Sequence, residues 1–147
     1  MESKMELLNQ VLSVEEVTNK VMAKLGELPE DDRKKIITGD TYGMCGTFAL
    51  HLRNVIENDL PVKTARAKHE DGNAHTYLMV PGNSPDDDII IDPTANQFIR
   101  GLYTVFIGTR KTLRELVLNS KINNTRSRNN PQEAFDRTWG ITSNIVY

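Results

Sequence analysis

The chain has 147 residues, with 18 Lys and Arg against 20 Asp and Glu, one cysteine and 38% hydrophobic residues. That length is typical of one compact domain, and a single cysteine excludes an internal disulfide, an all-cysteine zinc site and a CxxC redox centre. The formal net charge of −2 argues against general nucleic-acid binding, which depends on neutralising phosphates. The sequence has no apolar stretch of about 18 residues that would predict a membrane span, and its first residues predict no ordinary secretory signal.

The N-terminal part of the chain is predicted to be helical. Residues 1–12 resemble a loosely held amphipathic segment. Ser13 and Glu16 have the spacing of a capping box, which predicts that a helix begins there. A second short helix is predicted over 29–37, and we expect the charge run at 30–35 to form a solvated face.

The middle of the chain changes from helical to extended patterning. A Gly-rich loop over 38–46 leads into a helical pattern that starts at Thr47, so Cys45 lies where this loop enters a helix. Short apolar and β-branched runs bounded by turn residues then predict four strands. These strands are expected at 62–67, 74–80, 88–92 and 102–107. Their short connections favour antiparallel neighbours.

The C-terminal part of the chain is predicted to return to helix. Thr112 and Glu115 offer another capping box, which predicts that a helix opens there. Residues 120–130 are polar and predict a loop. Asn130 and Pro131 then resemble the cap and first residue of a last short helix.

The expected fold class is α+β, with an antiparallel sheet packed against the cysteine-bearing helix. We expect a single domain over residues 1–147. Its parts would be a helical N-terminal segment (1–40), a catalytic core (41–110) and a C-terminal helical segment (111–147).

Cys45 is the first candidate for a catalytic residue. A lone cysteine is most often a small buried apolar residue. At a helix start, however, free backbone N–H groups and the positive end of the helix dipole favour the thiolate. Gly43 and Gly46 flank it and would allow close approach of a substrate.

His75 and Asp92 are candidate partners of that sulfur. His75 opens a predicted strand beside Tyr77, whereas His51 is rotated away along the cysteine helix and His69 lies in a turn-rich stretch. Asp92 ends an apolar run, where a carboxylate must be exposed at the strand end or paired. The alternative role of Asp92 is to cap the turn at 92–94. Bonding to the His75 ring would satisfy Asp92 and fix the tautomer of the imidazole.

Gln97 and the aspartates at 86–88 are further polar residues that could contribute to a functional site. Gln97 follows Asp92 by five residues, so its carboxamide can reach the same cleft and donate a hydrogen bond to an oxyanion. The three aspartates at 86–88 lack EF-hand spacing, so we expect no metal site and no cofactor.

Four stretches together carry a resemblance to a known superfamily. They are YGMCGTFA at 42–49, HTY at 75–77, IDPTANQF at 91–98 and VFIGTR at 105–110. This order resembles the papain-like and transglutaminase-like superfamily of Cys–His–Asp enzymes. Within it the chain looks most like glutamine deamidase domains of toxins and effectors, including the deamidase module of the Pasteurella-type mitogenic toxin.

The resemblance implies a papain-like fold and a role for each site residue. Cys45 would be the nucleophile, His75 the base, Asp92 the residue that orients the base, and Gln97 an oxyanion donor. The implied activity converts a glutamine side chain of a protein to glutamate through a thioester. A papain-like cysteine peptidase, a transglutaminase or acyltransferase, and a non-catalytic binding module of the same fold remain alternatives.

The resemblance also implies a location and partners. A toxin or effector of this kind would be translocated, without an ordinary signal peptide, to act in the cytoplasm of a target cell, and would be cytoplasmic in its producer. Its partners would be a protein substrate and an immunity protein or chaperone. Residues 1–40 and the basic 120–130 loop are the expected docking surfaces for that last partner.

Overall fold

The computed structural model describes residues 12–38, 45–67, 75–95, 99, 104–119, 131–140 and 144–147. The helices in these ranges are α1 (Val14–Lys24), α2 (Glu30–Thr38), α3 (Cys45–Ile56), α4 (Arg110–Asn119) and α5 (Pro131–Trp139). The strands are β1 (Lys63–Ala67), β2 (Thr76–Val80), β3 (Ile89–Asp92), β4 (Phe106–Thr109) and β5 (Asn144–Val146). Two short 3₁₀ turns, Leu25–Glu27 and Pro85–Asp87, complete the described elements.

The strands form one sheet in the order β4-β3-β2-β1-β5, and every neighbouring pair is antiparallel. Leu78 of β2 lies opposite Ile91 of β3. Because these two strands run in opposite directions, the first residues of β2 and the last residues of β3 meet at the same end of the sheet. The predicted α+β class with an antiparallel sheet is confirmed.

Helices cover the sheet on both faces, and this explains why β2 is buried along its whole length. One face packs against α1 and α3 through Val17, Val21, Phe48, Leu52, Leu78 and Ile91. The opposite face packs against α4 and α5 through Tyr77, Met79, Ile90, Leu113, Val117, Phe135 and Trp139. Since side chains alternate along a strand, successive residues of β2 enter the two cores in turn.

Local sequence signals place the helix starts. The Ser13 hydroxyl accepts a hydrogen bond from the Glu16 backbone N–H at 3.1 Å, which caps α1 as the sequence predicts. The last described helix begins at Pro131, also as predicted. The cysteine helix begins at Cys45 itself, two residues earlier than the pattern from Thr47 indicated.

The cap of α4 was assigned to the wrong residue. Thr112 does not precede the helix, because α4 already begins at Arg110. The Thr109 hydroxyl instead accepts a hydrogen bond from the Thr112 backbone N–H at 3.1 Å. Thr109 therefore performs the capping that the sequence analysis gave to Thr112 and Glu115.

The position of the fourth strand was also wrong. The strand predicted at 102–107 lies at Phe106–Thr109, where Ile89 pairs with Thr109 and Asp92 with Phe106. Residues 102 and 103 of the prediction lie outside the described residues. Pairing along the whole of β3 fixes this register, and single-chain periodicity does not contain that information.

The C-terminal segment is not wholly helical. The sequence predicts a helical segment over 111–147 with a loop at 120–130, but β5 lies in this segment and pairs with β1, with Ala65 opposite Val146. A strand of three residues is too short to show a period of two, so the pattern gave no signal for it.

The charge run of α2 is not a fully solvated face. Asp32 is buried at 6% exposure, and its Oδ2 lies 2.6 Å from Nδ1 of His51 on α3. This pair joins α2 to α3 and gives the His51 ring a carboxylate partner on α2. The other residues at 30–34 are exposed as expected, and Lys35 is partly buried.

Two predicted segments lie mostly or wholly outside the described residues. These are the amphipathic segment at 1–12, of which only Leu12 is described and buried, and the 120–130 loop. None of the described helices has the length and apolar character needed to cross a membrane.

Arg110 is a buried cation that joins three elements on the α4–α5 side of the sheet. Its Nε donates to the Trp139 carbonyl at 2.9 Å, and its Nη1 donates to the Pro85 carbonyl at 2.7 Å and to the Asp88 carboxylate. Its Nη2 lies 3.4 Å from the Tyr77 hydroxyl. The charge of Arg110 therefore compensates the buried Asp88 and holds the end of α5 against the sheet.

Replacing Arg110 should strongly destabilise the protein. Arg110→Met leaves Asp88 buried without its cation, and we expect the free energy of unfolding to fall by about 3–5 kcal/mol in urea titrations. The matched control is Arg114→Met, which breaks a partly exposed pair with Asp86 and should cost about 1 kcal/mol or less. Equal losses in the two variants would contradict the assigned role of Arg110.

Candidate active site

His75 and Asp92 form a buried pair at one end of the sheet. His75 directly precedes β2 and Asp92 is the last residue of β3, so the antiparallel pairing of these strands brings the two side chains together. His75 Nε2 lies 2.6 Å from Asp92 Oδ2, and the side chains are 2% and 0% exposed. The pair is therefore shielded from water, which strengthens its electrostatic interaction.

The Asp92 carboxylate is supported by donors on both oxygens. Trp139 Nε1 donates to Oδ2 at 2.8 Å. The Thr94 backbone N–H donates to Oδ1 at 3.0 Å, and the Thr94 hydroxyl lies 3.4 Å from the same oxygen. Such donors offset the cost of burying a carboxylate and hold it in one orientation.

Aromatic rings fix the plane of the His75 imidazole. The Tyr77 ring is stacked on it with centroids 5.9 Å apart and an interplanar angle of 21°. The Trp139 ring meets it edge-on, with centroids 5.7 Å apart and an angle of 83°. Trp139 therefore contacts both members of the pair, the imidazole through its ring and Asp92 through its N–H.

Cys45 reaches this pair from the other side of the sheet. It is the first residue of α3, whose Phe48 and Leu52 pack against the sheet and so fix the position of the helix N-terminus. The first turn of α3 has no acidic residue to compete for the positive end of the dipole. Cys45 is half-buried and interacts with the His75 side chain and with the backbone of Thr76.

The surroundings shift the pKa values of both residues in the direction of an ion pair. Burial alone would raise the pKa of the Cys45 thiol, but the hydrogen bond and charge of His75 and the Thr76 backbone lower it below its ordinary 9.0. Burial alone would lower the pKa of His75, but Asp92, together with Cys45, raises it from 6.5 to about 9. Both shifts favour a thiolate and an imidazolium over the neutral thiol and imidazole, and a pKa of about 9 keeps His75 protonated near neutral pH.

The structure brings three of the four residues singled out in the sequence into one cluster. Cys45, His75 and Asp92 lie together, and Gly46 beside the sulfur faces open space. Gln97 lies outside the described residues, so its role as an oxyanion donor stays a prediction.

The other polar residues weighed in the sequence analysis lie elsewhere or outside the described part. Gly43 and His69 belong to the undescribed stretches, and His51 is bonded to Asp32. The aspartates at 86–88 bond separately to Arg114, Ser84 and Arg110. Within the described ranges no three His, Cys, Asp or Glu residues are arranged to hold a metal ion.

One residue that supports Asp92, Trp139, was not predicted from the sequence. Trp139 follows Asp92 by 47 residues, and an apolar residue in a helix gives no signal that its N–H will meet a carboxylate. Thr94, by contrast, carries a local signal, and its N–H bond to Asp92 shows that Asp92 caps the turn at 92–94 as well as pairing with His75.

No family model, curated protein or solved structure matches this chain. Its function is therefore inferred from the geometry of the cluster and from the motifs described above.

The Trp139 N–H is open to a direct test. Trp139→Phe keeps an aromatic ring next to His75 but removes one donor to Asp92, and we expect a loss of about 1–3 kcal/mol in the free energy of unfolding. Phe135→Leu, which changes a buried aromatic neighbour that makes no such bond, serves as the packing control. If Trp139→Phe leaves both stability and the reactivity of Cys45 unchanged, the indole N–H does not support the pair.

Proposed function

We propose that this chain is a cysteine-dependent glutamine deamidase of the toxin or effector type, built on a papain-like core. The observation that carries the proposal is the buried His75–Asp92 pair beside Cys45, with the pKa shifts that favour a thiolate and an imidazolium. This arrangement is suited to acyl transfer through a thioester. The choice of a glutamine side chain as substrate comes from the motif resemblance.

In the proposed reaction, the Cys45 thiolate attacks the carbon of the glutamine carboxamide. His75 Nε2 is bonded to Asp92, so proton exchange with the substrate falls to Nδ1. The imidazolium gives its proton to the leaving nitrogen, and ammonia departs as the thioester forms. His75 then accepts a proton from water, which attacks the thioester, releases glutamate and restores the thiolate. Each cycle consumes one water and releases one ammonia.

Asp92 supports this cycle without contacting the substrate. It holds the imidazole in one tautomer and orientation and stabilises its positive charge. The developing oxyanion would be stabilised by the Cys45 backbone N–H at the start of α3, with Gln97 as the second donor. The product differs from the substrate by one negative charge, enough to alter a switch residue of the target protein.

The same proposal includes a setting for the enzyme. A free catalytic thiol suits a reducing compartment, so we place the activity in the cytoplasm of a target cell after translocation. In its producer the chain would be cytoplasmic and held by an immunity protein or chaperone.

The test is a comparison of wild-type protein with Cys45→Ala on an unfolded glutamine-rich protein such as β-casein. We expect the wild type to release ammonia and to convert glutamine to glutamate, detected by peptide mass spectrometry. Cys45→Ala should lose this activity entirely. Thr47→Ala, an exposed change in the same turn of α3, is the matched control and should retain it.

The same experiment distinguishes the alternative activities. A new amino terminus in the target would indicate a peptidase, and incorporation of an added primary amine would indicate a transglutaminase. Conversion at the wild-type rate by Cys45→Ala would contradict every mechanism that depends on the thiol.

A further inference from the structure

A surface groove lies between α3 and the strands β1 and β2, and Gly46, the residue after Cys45, is part of its lining. It has a volume of about 500 Å³. One wall consists of α3 residues that share a helix face, including Gly46, Leu50 and Arg53, and the other includes Thr64 and Arg66 of β1 and Thr76 of β2. Thr76 is also the residue whose backbone interacts with the Cys45 sulfur. The groove therefore opens next to the nucleophile.

The groove has the length of a short peptide. Its wall on α3 extends from Gly46 to Glu57, and at the rise of an α-helix this distance is about 16 Å. An extended chain covers that distance with about five residues. Leu50 is 58% exposed and Tyr147, at the other end, is 59% exposed, so both can pack against a bound chain.

Among the described side chains that line the groove, positive charge exceeds negative charge. Arg53 is held in place, since its Nη1 donates to the Thr64 hydroxyl at 2.6 Å and its Nε lies 3.4 Å from Glu57 Oε2. Arg66, by contrast, is exposed and makes no ion pair with any residue in the described ranges. The groove thus contains two arginines and one glutamate, and that glutamate is bonded to Arg53.

The position of Arg66 relative to the nucleophile follows from the sheet register. Arg66 lies directly opposite Thr76 in the β1–β2 pair, and such partners have Cβ atoms about 5 Å apart. An arginine side chain at that place can reach a substrate group about 10 Å from the reacting carbon, which is about three residues of extended chain.

We propose that this groove binds an extended segment of the protein substrate beside the reacting glutamine, and that Arg66 selects an acidic side chain two or three residues away. The proposal rests on the proposed function and adds to it the chemical class of the substrate segment. An exposed arginine such as Arg66, which forms no ion pair within the described ranges, can bind a carboxylate through its charge and its paired N–H donors.

The experiment uses electrophilic peptides, so that recognition is measured separately from hydrolysis. Two peptides of about five residues carry a chloroacetyl group in place of the glutamine carboxamide, one with glutamates and one with lysines on both sides. The Cys45 sulfur displaces chloride, and mass spectrometry follows the rate. Dividing each rate by that of iodoacetamide removes changes in the intrinsic reactivity of the thiol.

We expect wild-type protein to react about tenfold faster with the acidic peptide than with the basic one. Arg66→Glu should abolish or reverse this preference, and Arg66→Gln should reduce it. Arg33→Glu makes the same charge change on the exposed surface of α2, outside the groove, and should keep the wild-type preference. A urea titration checks that each variant is folded.

Equal rates for the two peptides in wild-type protein would overturn the proposal, and so would a preference that survives in Arg66→Glu. The corresponding glutamine peptides are tested in parallel for ammonia release. Selective alkylation without ammonia release would contradict the proposed deamidation while supporting the recognition of an acidic segment by the groove.

Discussion

Replacing His75 by alanine should raise the pH at which Cys45 becomes reactive. In the wild type, the charge and hydrogen bond of His75 hold the pKa of Cys45 below 9.0 against the opposing effect of burial. In His75→Ala burial remains and the imidazolium is lost, so the midpoint should move above 9.0. At neutral pH we expect alkylation by iodoacetamide to slow, because a higher pKa leaves a smaller fraction of Cys45 as the reactive thiolate.

The control for this change is His51→Ala. His51 lies on the same helix as Cys45 but bonds to Asp32, so its removal should leave the alkylation midpoint where it is in the wild type. An unchanged midpoint in His75→Ala would show that the imidazole does not support the thiolate.

Replacing Asp92 by asparagine should remove most of the activity while retaining the shape of the site. The buried His75 then loses the negative partner that raises its pKa to about 9, and the imidazolium is no longer favoured at neutral pH. We expect ammonia release to fall by about a thousandfold or more. The amide group of asparagine cannot accept from all the donors that Asp92 satisfies, so stability should also fall by about 1–3 kcal/mol.

The matched control is Asp87→Asn, the same chemical change at an exposed position just before β3. It should leave the rate of ammonia release within about twofold of the wild type, because surface substitutions rarely disturb distant groups. If Asp92→Asn retains wild-type turnover, Asp92 is a structural residue and has no part in the reaction.

Local signals in the sequence were sufficient for much of the fold. The capping pair of Ser13 and Glu16 predicted the start of α1, and turn residues around the isoleucine run predicted β3. The same reasoning placed Cys45 at a helix start and His75 at the beginning of a strand, and short connections predicted antiparallel pairing. These features depend on residues close together in the chain, so they can be predicted from a single sequence.

Features that depend on distant contacts could not be predicted in this way. The register of β4 is set by β3, and β5 exists only because it pairs with β1. The bond from Trp139 to Asp92 and the hydrogen bonds of Arg110 join residues far apart in the chain, and nothing local marks either residue. Asp32 is a further example, because its charged neighbours in the sequence predict an exposed side chain, whereas the structure buries it.

The most direct measurement of the central claim is an NMR titration of the His75 ring nitrogens in wild-type protein and in Cys45→Ala. If the sulfur, the imidazole and the carboxylate act together, the ring should stay doubly protonated at neutral pH and titrate at about 9. Removing the sulfur should lower that value, because the thiolate contributes to it. The claim would be contradicted by a His75 ring that titrates at or below 6.5 in the wild type. It would also be contradicted by a titration midpoint that is the same in Cys45→Ala as in the wild type.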